Sequence, residues 1–158
     1  MKEGRPIIER LKYVAGELFG KVRGVIDISR IQELGPEYLA KINKIIESGH
    51  RNINCHGTSS YLAGLINTPR GVETEELSKL LEGISPDEHL TPNSIICNKT
   101  TKGVITHSGI LIRARGEDYI LHKRGYEDPI EIVPLVGVFP TGVKIISYSR
   151  ATQNLTLK

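Results

Sequence analysis

Hydrophobic positions in the first half of the chain recur every three to four residues, the period of an amphipathic helix. In the second half they fall in short runs rich in β-branched residues. After Pro6, Ile7, Ile8, Leu11, Val14, Ala15, Leu18 and Phe19 share one helical face, which stops at Gly20. Residues 21–35 are β-branched around a central Gly24 and support no assignment. Pro36 opens a second helix with Leu39, Ile42, Ile45 and Ile46 on its apolar side and Gly49 as its stop. A third begins at Cys55, carries Leu62, Leu65 and Ile66 inward and ends before the turn Thr68-Pro69-Arg70-Gly71. A fourth spans about Thr74 to Leu81, and Ser85-Pro86-Asp87-Glu88 has the form of a capping box for one more short turn. From Pro92 onward the runs 94–97, 104–113, 119–123, 130–138 and 143–149 predict strands separated by Gly, Pro, Asn or Asp. Helices first and strands second predict an α+β fold, an antiparallel sheet or small barrel with helices packed on it.

The third helix start carries the candidate chemistry. Cys55 follows the polar loop His50 to Asn54, and a thiol at a helix start feels the positive end of the dipole and unpaired backbone N–H groups, which favour the thiolate. Gly57 lets a ligand approach, Thr58, Ser59 and Ser60 suit a first turn, and the same N–H groups can hold a substrate oxyanion.

Two histidines lie in consecutive strands, His107 in Ile105-Thr106-His107-Ser108-Gly109 and His122 in Tyr119-Ile120-Leu121-His122-Lys123. A tight turn centred on Ala114-Arg115 sets them opposite each other, and one centred on Arg115-Gly116 makes them diagonal neighbours. Either register puts both rings on one face of the sheet, within touching distance. Two buried imidazoles among Ile, Leu and Gly need partners. The chemical reading has Cys55 attacking a carbonyl, His107 holding the thiol proton and returning it to the leaving group, and His122 fixing the tautomer of His107.

Cys55-His56-Gly57 at a helix start, then Thr106-His107-Ser108-Gly109-Ile110 in a strand, then His122, resembles the NlpC-type branch of the papain-like cysteine peptidases. That family's pattern is Asp-Cys-Ser-Gly, then His-Val-Gly-Ile, then a polar third residue. The similarity runs from about residue 50 to the C-terminus and includes the strand after Leu90-Thr91-Pro92-Asn93-Ser94. By length and the lack of a linker, residues 1–158 fit one compact domain, with 1–49, unmatched by motif, as a helical N-terminal extension, and the resemblance implies a papain-like catalytic core over 50–158. It also implies Cys55 as nucleophile, His107 as base and His122 as orienting residue on a small antiparallel barrel, acting on peptide or amide bonds such as those of cell-wall peptides. Asn54 stands where the family has Asp, and His56 where it has Ser. With Gly57 these neighbours are the candidate substrate-binding residues.

The expected function is a thiol hydrolase acting on a peptide, isopeptide or other amide bond through a thioester acyl-enzyme, with no metal or organic cofactor. The alternatives are a papain-like binding module without turnover and a thiol acyltransferase. A zinc site on Cys55, His107 and His122 is the weaker chemical alternative, because no paired C-x-x-C or H-x-x-x-H unit is present. Cys97, in a short apolar strand, reads as core, and His50, His56 and His89 read as solvated loop residues. A net charge of only +3, with basic residues scattered among acidic ones, gives no nucleic-acid footprint. The opening residues lack the uninterrupted apolar core of a signal peptide, and no run is long enough to span a membrane. A cytoplasmic location with reduced cysteines is the expectation that follows.

Overall fold

The computed structural model describes residues 36–114, 116–139 and 143–149. The helix expected after Pro6 and the stretch 21–35 lie outside the described residues, as do the side chains of Leu39 and His50. Helix α1 (Pro36–Glu47) leads through a 3-10 turn (His50–Asn52) into α2 (Cys55–Leu62) and α3 (Thr74–Leu80). Five strands follow, β1 (Ile95–Lys99), β2 (Ile105–Ala114), β3 (Glu117–Lys123), β4 (Ile130–Pro134) and β5 (Lys144–Tyr148). They form one sheet in the order β4-β3-β2-β1-β5, and each neighbouring pair is antiparallel. The chain is therefore α+β, with helices preceding an antiparallel sheet as the hydrophobic pattern predicts.

Strand alternation divides the core into two layers. On one face Ile95, Cys97, Ile110, Ile112, Leu121 and Ile132 pack against Ile42, Ile45, Leu62 and Leu77 of the helices. On the other, Ile96, Leu111, Ile120 and Val133 lie beneath Leu135 and Phe139 of the segment that follows β4. Ser85–Glu88 forms no helical turn. The Asp87 carboxylate instead accepts hydrogen bonds from the Ser147 and Ser149 hydroxyls and the Ser149 N–H, pinning the loop to the edge strand β5. The short polar side chains after the strand outcompeted a local cap.

The β2–β3 hairpin pairs Ile110 with Leu121 and Ala114 with Glu117, the register of a turn centred on residues 115 and 116. Of the two registers considered, this is the diagonal one for His107 and His122. Gly109, between them on the same face, is obligatory: a Cβ there would sit 2.5 Å from the Ile120 side chain and 3.1 Å from the His122 Cβ.

Helix α2 is pressed close to the segment before α3. A Cβ on Gly57 would lie 2.0 Å from the Arg70 carbonyl oxygen, far inside contact distance with backbone that cannot swing away. Alanine improves helix propensity over glycine by about 1 kcal/mol, but a forced backbone shift costs about 1–3 kcal/mol or more. Sterics should win. Gly57→Ala is expected to lower the thermal midpoint by several degrees, a sign that a thermal melt reads directly.

Candidate active site

Asn54 caps α2, its side-chain oxygen accepting from the Gly57 N–H at 2.9 Å and from the Val72 N–H at 3.0 Å, while its amide donates to the Val72 carbonyl at 2.8 Å. One side chain thus fixes both the helix start and the segment beside it. His56 is buried within the first turn, not solvated as expected for a loop residue. Its Nδ1 lies 2.7 Å from Ser108 Oγ and its Nε2 3.3 Å from Thr74 Oγ1, and Ser59 reaches the same Ser108 hydroxyl at 2.6 Å. Asn54, His56 and Gly57, read from sequence as substrate contacts, also carry framework duties: Asn54 and Gly57 fix the helix start against residues 70–72, and His56 ties it to β2. His89 is exposed and Cys97 is fully buried in the core, both as expected, and burial pushes the Cys97 thiol up to about 12.

Cys55 is the first residue of α2 and is half-buried. The backbone N–H groups of His56, of Ser108 and of Cys55 itself act on its thiol, each favouring the thiolate. The Ser108 N–H locates the thiol. Leu111 donates its N–H to Ser94 and accepts from Asn93, so its polar groups turn toward β1, and alternation turns those of Ser108 and Ile110 toward β3. The β2–β3 ladder ends at Ile110 and Leu121, and Ser108 lies beyond that last pair. The sulfur of Cys55 thus occupies the gap where β3 leaves β2, beside the residue that follows His107.

His107 is set by a break in the β1–β2 ladder. Register shifts between Cys97 and Lys99, and the side-chain oxygen of buried Asn98 takes the His107 N–H at 2.9 Å. The His107 and His122 rings meet edge to face with centroids 4.9 Å apart, and His107 Nε2 lies 2.7 Å from His122 Nδ1. The chain of contacts continues: His122, fully buried, is paired in register with Glu131, and its Nε2 lies 2.9 Å from Glu131 Oε1. The same oxygen accepts from Arg124 Nε at 2.9 Å.

Burial raises the Glu131 carboxyl, yet the hydrogen bonds and charges of His122 and Arg124 hold it below the usual carboxylate value. A carboxylate only accepts, so it sets the direction of the whole relay. His122 donates from Nε2 to Glu131, His107 donates from Nε2 to His122 Nδ1, and His107 Nδ1 is left with its lone pair free.

Electrostatics then differ from the sequence expectation. Burial raises the Cys55 thiol, and the three backbone N–H groups only partly offset it, so the resting state is a thiol, not the thiolate expected at a helix start. Burial, followed by the positive charge of His122, His56 and Arg124, depresses His107 to about 3. The pair rests neutral. His56 is likewise lowered by burial.

A depressed histidine binds fewer protons folded than unfolded. Between the ordinary value of 6.5 and about 3 the unfolded chain takes up protons that His107 in the native chain refuses, so stability falls as pH is lowered through that window. Urea unfolding at stepped pH should show this decline, and His107→Gln should flatten it.

The far wall of the Cys55 gap was not legible as such. The Tyr126 ring lies against Gly71, where a Cβ would be 2.6 Å from the phenol oxygen, and the hydroxyl bonds Glu73. Burial, then the charges of Glu73 and Cys55, raise its phenol. Lys123, fully buried, donates to the Tyr126 carbonyl at 3.1 Å and holds that loop; burial lowers its ammonium to about 8. Phe139 stands 5.6 Å from the His107 ring and lines a cavity of about 670 Å³ with Tyr119, Leu135 and Ile145. The described residues contain no His, Cys, Asp and Glu group able to hold a metal ion, and none of their helices is long and apolar enough to cross a membrane.

In comparison with known proteins, no family model, no curated protein and no solved structure matches the chain.

Proposed function

We propose that this chain is a thiol hydrolase of papain-like, NlpC-type arrangement that opens a peptide, isopeptide or other amide bond. The observation that carries the reading is the directed relay Glu131, His122, His107, which leaves a lone pair on His107, the residue next in the chain to Ser108, whose N–H acts on the Cys55 thiol. A purely structural histidine pair has no need of a carboxylate that fixes which ring nitrogen keeps its lone pair.

The sulfur of Cys55 attacks the carbonyl carbon while its proton passes to His107 Nδ1. The oxyanion sits where the Cys55 and His56 N–H groups converge. Collapse breaks the carbon–nitrogen bond, His107 gives its proton to the departing amine, and a thioester remains on Cys55. Water then attacks the thioester, losing a proton to His107, and the acid leaves as the proton returns to sulfur. Because both partners rest neutral, the first step is general-base catalysis, not attack by a preformed thiolate. A thiol acyltransferase differs only in which acceptor replaces water.

The neutral thiol also favours a second reading, a binding module that keeps this shell without turnover. Alkylation with iodoacetamide separates the two. The hydrolase reading requires Cys55 to react far faster than buried Cys97 at neutral pH, with His107→Ala slowing it. Equal, sluggish labelling of both cysteines, together with no cleavage by mass spectrometry across a panel of γ-glutamyl-linked and ordinary peptides, selects the binding module.

A further inference from the structure

We infer that Arg124 is the anion-recognising residue of this site: the outer edge of its guanidinium receives a carboxylate carried by the substrate beside the bond that breaks. The inference rests on the hydrolase reading and adds a substrate class to it.

Arg124 is anchored through Nε alone, to the buried oxygen Oε1 of Glu131, while its side chain is 54% exposed. Among the described residues nothing takes the Nη1 and Nη2 groups. A guanidinium held by one N–H has a pre-set orientation, and its remaining fork matches a carboxylate in two parallel hydrogen bonds. The position is near the chemistry: Arg124 bonds the same Glu131 oxygen that His122 bonds, and His122 in turn bonds His107. The charges on the two sides differ, an acidic Glu73 near the neutral Tyr126 phenol and a cationic Arg124 near the histidines, so an anionic group is drawn to the latter.

An anionic and an uncharged reagent compared at one sulfur separate recognition of a carboxylate from a general effect of Arg124 on the thiol. Iodoacetate and iodoacetamide form such a pair: each loses iodide to the Cys55 sulfur, and only one carries a carboxylate. For the wild-type chain the ratio of iodoacetate to iodoacetamide rates at Cys55 should exceed that of free cysteine, and Arg124→Gln should lower it by about threefold to tenfold. Arg124→Lys, which keeps the charge, should retain part of the ratio, and added salt should erode it. A ratio indifferent to Arg124→Gln, or one that Arg124→Lys loses as completely as Arg124→Gln, overturns the inference and leaves the hydrolase reading intact. A Cys55 inert to both reagents overturns both.

Discussion

Cys55→Ala is expected to abolish amide cleavage, with kcat lower by on the order of 10⁴-fold or more, the scale set by loss of a covalent nucleophile. The prediction is severe because nothing else in the gap replaces the sulfur. The N–H groups of Cys55 and His56 stabilise an oxyanion only once something has attacked the carbonyl, and water attacking an amide directly is a far weaker nucleophile than sulfur, whereas the thioester of the acylated enzyme is reactive enough for water to open it. The substitution removes one half-buried atom at a helix start, so the melting temperature should hold and the loss reads as chemistry. Cys97→Ala is the matched control. It opens a small void in the core beneath the helices and should cost stability of about 1 kcal/mol, with turnover within a few fold of wild type. Cleavage that survives Cys55→Ala removes the sulfur from the mechanism, and the proposed function with it.

Much of this site is legible in the chain because it is local. The polar loop running into Gly57 and its hydroxyl neighbours predicts a helix start at Cys55, and the helix begins there, although Asn54, read as a substrate contact, is the residue that caps it. The histidine pair follows from period-two alternation across one hairpin, where the possible turns change the offset of His107 and His122 without changing their shared face. What the chain hides is decided by burial. Glu131 alternates with Ile130, Ile132 and Val133 in a strand reading, and only the pairing of β3 with β4 sets it against His122. A lone carboxylate in an apolar strand, one hairpin from a buried histidine, is the signal that was present. His56 looks like loop because its neighbours are polar, yet those neighbours are its partners: Ser59 and Ser108 converge on it only once α2 lies on β2. The resting charge of the thiol is hidden for the same reason. A helix start lowers a thiol and desolvation raises it, and which effect wins depends on how deep the strand gap is, a property of packing that no local pattern encodes. The N-terminal segment through residue 35 lies outside this comparison.

His107→Ala is expected to lower kcat by about 10²–10⁴-fold, the usual worth of a positioned general base. In many thiol enzymes a preformed ion pair lets the thiolate survive loss of its histidine partner in part. Here burial holds Cys55 as a thiol, so removing the base removes the route by which the proton leaves. The effect should therefore shrink with rising pH, as solvent hydroxide takes over deprotonation, and a pH series of kcat/KM for the variant should climb on the alkaline side where the wild type is flatter. Glu131→Gln probes the same relay from its far end. Its side-chain amide can turn an N–H toward His122 Nε2, which converts that nitrogen from donor to acceptor and reverses every bond back to His107. The lone pair then faces His122 and an N–H faces the sulfur, leaving a ring in the right place with its proton on the wrong side. An intermediate loss, about 10–10²-fold, with an unchanged fold and a Cys55 still reachable by iodoacetamide, is the expected result. If Glu131→Gln costs nothing while His107→Ala costs the full amount, the carboxylate does not direct the relay, and His122 alone must fix the tautomer of its neighbour.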